Sequence, residues 1–118
     1  MKRIALLSLL LIAPAVYAEE GSVATAFEQI TVSSTSVGLT TSNYDLTNAD
    51  LSRRTKRVVC SVESNAIRFR VDGTAPTASV GYPVTAGQQI IIDKPNDIEN
   101  FRSIRQSADA TLSCIYWR

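Results

Sequence analysis

The sequence predicts an all-β fold. It should be a single small antiparallel β-sandwich, jelly-roll or immunoglobulin-like, of about seven to eight short strands behind a cleaved signal peptide. Three observations carry this. Apolar and polar side chains alternate with a period of two around Val58–Val62, Ile67–Val71 and Ala110–Trp117, the period of a half-buried strand. Turn-forming residues recur roughly every 8–12 positions. Beyond residue 18 the chain is rich in Thr, Ser and Val, and it lacks the Ala-Glu-Lys-Leu runs of helical proteins.

Of the 118 residues, the first eighteen read as an export signal. Lys2 and Arg3 form a positive start, and Ile4 to Ile12 is an apolar run interrupted only by Ser8. Pro14 ends it, and Val16-Tyr17-Ala18 places small residues at −3 and −1 of a cleavage site before Glu19. Nine apolar residues fall far short of the roughly 20 that span a bilayer as a helix, so the mature form, residues 19–118, is expected to carry no membrane span. It is expected in the periplasm or secreted medium. It keeps ten basic residues against eleven acidic ones.

The elements follow in order. Residues 19–25 are small and polar and read as a loose leader, and Phe27 to Val32 as a strand with Ile30 and Val32 on one face. Ser33 to Ser36 turns into a short strand at Val37–Thr40, and Thr41 to Arg57 is polar and irregular. A strand then sets Val58, Cys60 and Val62 on one face. The Ser64-Asn65 turn leads into Ile67, Phe69 and Val71 facing inward, with Arg68 and Arg70 facing outward, free to pair with Asp72, Glu99 or Asp109. Asp72-Gly73 is a strong turn signal. Thr77–Val80 reads as a short strand and Ala86-Gly87 as a turn. Gln88 to Asp93, with three consecutive Ile, is expected to be buried on both faces. Pro95-Asn96-Asp97 breaks the strand. Ile98 and Phe101, three apart, allow one helical turn before Arg102 to Gln106 extends. The closing strand, Ala110 to Trp117, turns Leu112, Cys114 and Tyr116 to one side.

Composition excludes several chemistries. With no histidine there is no Ser-His-Asp or Cys-His pair and no imidazole switch. Two cysteines alone cannot complete a structural zinc site. Near-neutral charge argues against a dedicated nucleic-acid partner. Cys60 and Cys114 each fall mid-strand on an apolar face; in an exported chain they are expected to form a disulfide rather than remain two buried thiols. Arg53, Arg54, Lys56 and Arg57 form a candidate anion-binding patch, although a basic loop before a strand is more simply a solvated segment that discourages edge pairing. Asp93 to Glu99 gathers three acids, but Ile98 and Ile104 stand where a calcium loop needs Gly and Glu, so a plain turn is expected. No catalytic, metal or cofactor residues are assigned.

The segment Arg68-Phe69-Arg70-Val71-Asp72-Gly73-Thr74-Ala75-Pro76-Thr77, followed by Gly81, Gly87, Phe101, Ile104 and Tyr116, resembles a family of small all-β proteins encoded in phage and prophage structural regions. The resemblance spans Val37 to the C-terminus. It implies a compact sandwich with a virion-associated, accessory or decoration-type role and no catalysis, acting on protein partners by self-association or by contact with virion or envelope components. The alternative expectation is an exported periplasmic or cell-surface module that binds a carbohydrate or envelope component through Tyr44, Tyr82, Trp117 and the basic loop. A hydrolase built on paired carboxylates is the weaker third.

Overall fold

The computed structural model describes residues 22–118; the export signal expected at residues 1–18 and its expected cleavage position lie outside them. Seven strands and one short helix follow in the order β1 (Ala24–Val32), β2 (Arg57–Glu63), β3 (Ile67–Arg70), β4 (Tyr82–Val84), β5 (Gln89–Ile92), α1 (Pro95–Asn100), β6 (Arg102–Arg105) and β7 (Ala110–Trp117). They form two antiparallel sheets, one ordered β1-β7-β2-β5 and the other β4-β3-β6. This is the all-β sandwich expected from alternation. Among the described residues no helix is long and apolar enough to cross a membrane.

The core follows the period-two pattern. Ile30 and Val32 from β1, Val58, Cys60 and Val62 from β2, and Leu112, Cys114 and Tyr116 from β7 are buried on one side of the larger sheet. They meet Ile67, Val84, Ile98 and Phe101 from the other layer. Pro95 begins α1, where its missing N–H costs nothing. The helix buries Ile98 and hands the chain to Phe101, which stacks on Phe69 with ring centroids 5.5 Å apart. Cys60 and Cys114 are bonded and directly opposed in the β2–β7 ladder. Their Cα atoms lie 4.1 Å apart, nearer than the usual disulfide window of about 4.4–6.8 Å and close to the roughly 4.5 Å of the tight pairs in an antiparallel ladder.

Four local expectations are corrected. The first strand begins at Ala24 rather than Phe27, because the start of β1 pairs with Trp117 at the end of β7. Val37–Thr40 is not a strand. Val37 makes a single bridge with Ser103, each N–H donating to the other's carbonyl at 2.9 and 2.8 Å. Gly38 then passes so close to β6 that a Cβ there would lie 3.0 Å from the Phe101 carbonyl oxygen. Thr77–Val80 is a turn, since the Thr77 hydroxyl accepts from the Val80 N–H at 2.9 Å and competes with any ladder. The strand lies instead at Tyr82–Val84, where Pro83 is tolerated because β4 is a sheet edge. Lastly, the triple-Ile run is buried on one face only: Ile90 and Ile92 point inward, and Ile91 is 61% exposed.

Candidate functional site

The alternation that builds the core leaves every second side chain of the larger sheet facing out. Register decides which of them meet. Phe27 of β1 lies opposite Ile115 of β7, Ile115 opposite Val59 of β2, and Val59 opposite Ile91 of β5. One apolar row therefore crosses all four strands. Phe27 and Ile91 at its ends are 61% exposed and Ile115 is 39% exposed; Val59 is half-buried between its neighbours. On one side of the row, Trp117 stands opposite Arg57. On the other, Gln29, Ser113, Ser61 and Gln89 form a second, polar row in the same register. Beyond that lie Thr31, Thr111 and Glu63. Among the outward positions of these paired strands, only Arg57 and Glu63 are charged, and they occupy opposite ends of β2.

Behind this face the sheet is anchored in two ways. The disulfide ties β2 to β7 in mid-sheet. The Tyr116 hydroxyl, pointing inward from β7, donates to the Glu28 carboxylate, which also accepts from the Thr40 N–H at 3.1 Å. Burial works against ionisation of Glu28, but the hydrogen bonds from Thr40 and Tyr116 outweigh it and hold the carboxyl below its usual value. Burial first, and Glu28 second, push the Tyr116 phenol far above the ordinary tyrosine range. This junction fastens the crossing segment 37–44 to the β1–β7 pair.

The basic run does not converge. Arg53 pairs with Asp50 at 3.6 Å. Arg54 turns back and its Nε donates to the Asn48 carbonyl at 2.7 Å. Lys56 is exposed, and Arg57 belongs to the outer face of β2. The loop carrying Arg53 and Arg54 is held by reciprocal bonds. The Thr55 N–H donates to the Asp45 carbonyl at 2.7 Å, and the Asp45 N–H to the Thr55 hydroxyl at 3.0 Å. Hydrogen bonds from the Thr47 backbone and the Asn48 side chain keep the Asp45 carboxyl low. An open polar cleft of about 390 Å³ lies against this loop, lined by Asn43, Tyr44, Asp45, Arg53 and Arg118 among others.

The three aromatics considered for a sugar site are likewise dispersed. Tyr44 lines the polar cleft, and Trp117 stands on the outer face beside Arg57. Tyr82, 68% exposed, lies on the smaller sheet, its ring 5.4 Å from that of Phe69. Arg70 there forks onto Asp72, with contacts of 3.0 and 2.5 Å. Arg68 spends its guanidinium on the Ala78 and Gly81 carbonyls, while Asp109 takes Arg105 instead, at 2.5 Å. Of the three acids of segment 93–99, Asp93 follows the end of β5 and Asp97 and Glu99 lie in α1.

The outer row escaped the sequence reading because its four members come from four strands. One signal was present: Phe27 and Ile115 fall on the opposite parity from the core residues of their own strands, where a soluble sheet would carry polar side chains. No family model matches this chain, nor does any curated protein or solved structure.

Proposed function

We propose that this protein is a non-enzymatic binding module that presents the outer face of its larger sheet to protein partners. The observation that carries the proposal is the Phe27–Ile115–Val59–Ile91 row. Solvated sheet faces normally carry polar side chains, and a contiguous apolar patch rimmed by polar ones marks an interaction surface. The patch is set on a rigid support, since strand pairing, the disulfide and the Glu28–Tyr116 junction all act on the strands that display it. The resemblance of Arg68–Thr77 to phage structural proteins supports a virion-accessory setting. The signal layout of residues 1–18 supports export.

Site-specific photo-cross-linking in the native source tests this reading. A photoreactive side chain at position 27 or 91 should give discrete protein adducts, whereas the same group at exposed Thr74 or Glu99 should not. Equal labelling at all four positions would refute it. Export is tested separately by intact mass after expression in a Gram-negative host, where loss of residues 1–18 is expected and retention of Met1 in the soluble product would refute it.

A further inference from the structure

We infer that the free edge of β1 is a self-association site, which pairs antiparallel with the same edge of a second copy about a two-fold axis at Gln29. Two larger sheets then join into one of eight strands. The edge is a different surface from the outer row, and the inference does not rest on that row.

Hydrogen-bond parity fixes which backbone groups face this edge. In an antiparallel ladder, alternate residues direct both N–H and C=O toward the same neighbouring strand. The Val62 N–H donates to the Gln88 carbonyl at 2.9 Å, continuing the β2–β5 register, so Val58, Cys60 and Val62 bond toward β5. Val59, Ser61 and Glu63 then bond toward β7, where Ile115, Ser113 and Thr111 answer them. Ala110, Leu112, Cys114 and Tyr116 are left to bond β1 through Val32, Ile30, Glu28 and Ala26. The short Cα separation of Cys60 and Cys114, 4.1 Å, agrees, being that of a pair that exchanges no ladder bonds. Phe27, Gln29 and Thr31 therefore point their N–H and C=O groups away from the sheet. Among the described residues no backbone group bonds to them; the crossing segment 37–44 reaches β1 through the Glu28 side chain instead.

Sheet edges are ordinarily blunted by cover, proline, charge or shortness, and the other three edges show this. Val37 bridges β6, and the Arg105 N–H donates to the Ser33 carbonyl at 3.0 Å. β4 is three residues long with Pro83 at its centre. β5 has four residues, followed by Asp93, Lys94 and Pro95. β1 has nine residues without Lys, Arg or Pro. Its one charge, Glu28, is held by Tyr116 and Thr40, and its bulge is confined to the Ala24/Ala26 end.

The edge requires an extended backbone presenting N–H and C=O at alternate positions over about 13 Å. The same edge of another copy supplies that array. One antiparallel register alone pairs all three residues with one another: Phe27 opposite Thr31, Gln29 opposite Gln29, and Thr31 opposite Phe27, with both bonds exchanged in each pair. A two-fold axis normal to the sheet generates it, so the contact is isologous and closed. Phe27, 61% exposed, then lies against a β-branched side chain, a favourable cross-strand pair. Glu28 falls beside Ile30 of the second copy, so no like charges meet along the seam. A strand-to-strand seam buries little area, and weak association is the consequence.

Sedimentation equilibrium of the purified protein from about 1 μM to about 1 mM, the span of weak association, tests this together with amide hydrogen exchange. The average mass should rise toward twice that of the monomer. Over the same range, exchange at the Phe27, Gln29 and Thr31 N–H groups should slow, and at Gln89 and Ile91 it should not. Gln29→Lys and Gln29→Glu each set like charges opposite each other and should raise the dissociation constant about tenfold or more. Because the Gln29 side chain is exposed, circular dichroism should stay unchanged. An equimolar mixture of the two variants should associate again, and Ile91→Glu should leave association as it was. A monomer at every concentration would overturn the inference, as would a mass increase without slowed exchange at the three N–H groups. So would a dimer indifferent to both position-29 variants, or a mixture that stays monomeric. A dimer broken by Ile91→Glu and untouched at position 29 would refute the edge and leave the outer face standing. Photo-cross-linking at position 91 is read independently of all these results, so the two readings fail separately.

Discussion

Removing the Cys60–Cys114 bond should destabilise the sandwich more than any single surface change. The two residues are 54 positions apart in sequence, and the bond closes that loop between β2 and the last strand. In the chain-entropy treatment a loop of this length restrains the unfolded chain by about 4 kcal/mol. A domain of this size is stable by only roughly 5–15 kcal/mol. At about 4–8 °C per kcal/mol for a chain near 100 residues, the melting temperature should fall by roughly 15–30 °C. The perturbation is the paired substitution Cys60→Ala with Cys114→Ala, compared with wild-type protein reduced in the unfolded state and refolded with reductant present. The reduced wild type loses the cross-link without losing side-chain volume, so it isolates the entropic part. The assay is thermal melting by circular dichroism at 218 nm-region signal, with thiol alkylation to verify each redox state. Oxidised wild type should melt highest, reduced wild type and the double variant well below, and reductant should leave the double variant unmoved. A wild-type midpoint that drops by less than about 5 °C on verified reduction would refute the reasoning. So would labelling of both thiols in unfolded, unreduced protein.

Tyr116→Phe should cost about 1.5–3 kcal/mol by removing a hydrogen bond to a charged group, measurable by urea unfolding at neutral pH. Glu28 has its carboxyl depressed in the folded state, so its contribution is present above the unfolded value of 4.5 and lost as pH falls through the lower folded value. Tyr116→Phe should therefore flatten the stability profile on the acid side, and an identical profile in both proteins would contradict the junction. Tyr116 itself has a raised value, so its contribution holds below about pH 10 and is lost as pH rises further, a loss absent in Tyr116→Phe. Gly81→Ala should cost about 1–3 kcal/mol, because φ is +141° there and a Cβ would lie 3.0 Å from Pro76 Cβ and 3.1 Å from Arg68 Cβ. Gly87→Ala, with φ +89° but open space around it, should cost less; equal losses in thermal melts would show that crowding at Gly81 is unimportant.

The sequence by itself determined what is local. A period of two marks the faces of β2, β3 and β7, and it placed Val58, Cys60, Val62, Leu112, Cys114 and Tyr116 in the core, where they are buried. The same parity made the two cysteines candidates for one bond, and the Ile98–Phe101 spacing marked the helical turn that α1 completes. Tertiary structure decided everything that depends on which strand lies beside which. Alternation says nothing of order, so the insertion of β7 between β1 and β2 could not be read from it. Ile91 illustrates the consequence: three consecutive isoleucines fit a strand buried on both faces, but among the described residues no second layer covers the outer side of β5, and the middle one is exposed. Thr77–Val80 has strand-like composition, yet a hydroxyl-to-backbone bond holds it as a turn, while Pro83 is accommodated because its strand is an edge. The outer row is the extreme case. Phe27, Val59, Ile91 and Ile115 are scattered over 89 positions, and long-range ladder hydrogen bonds alone bring them into one line. Side-chain direction is a property of each strand, whereas a surface made by four strands is a property of their register.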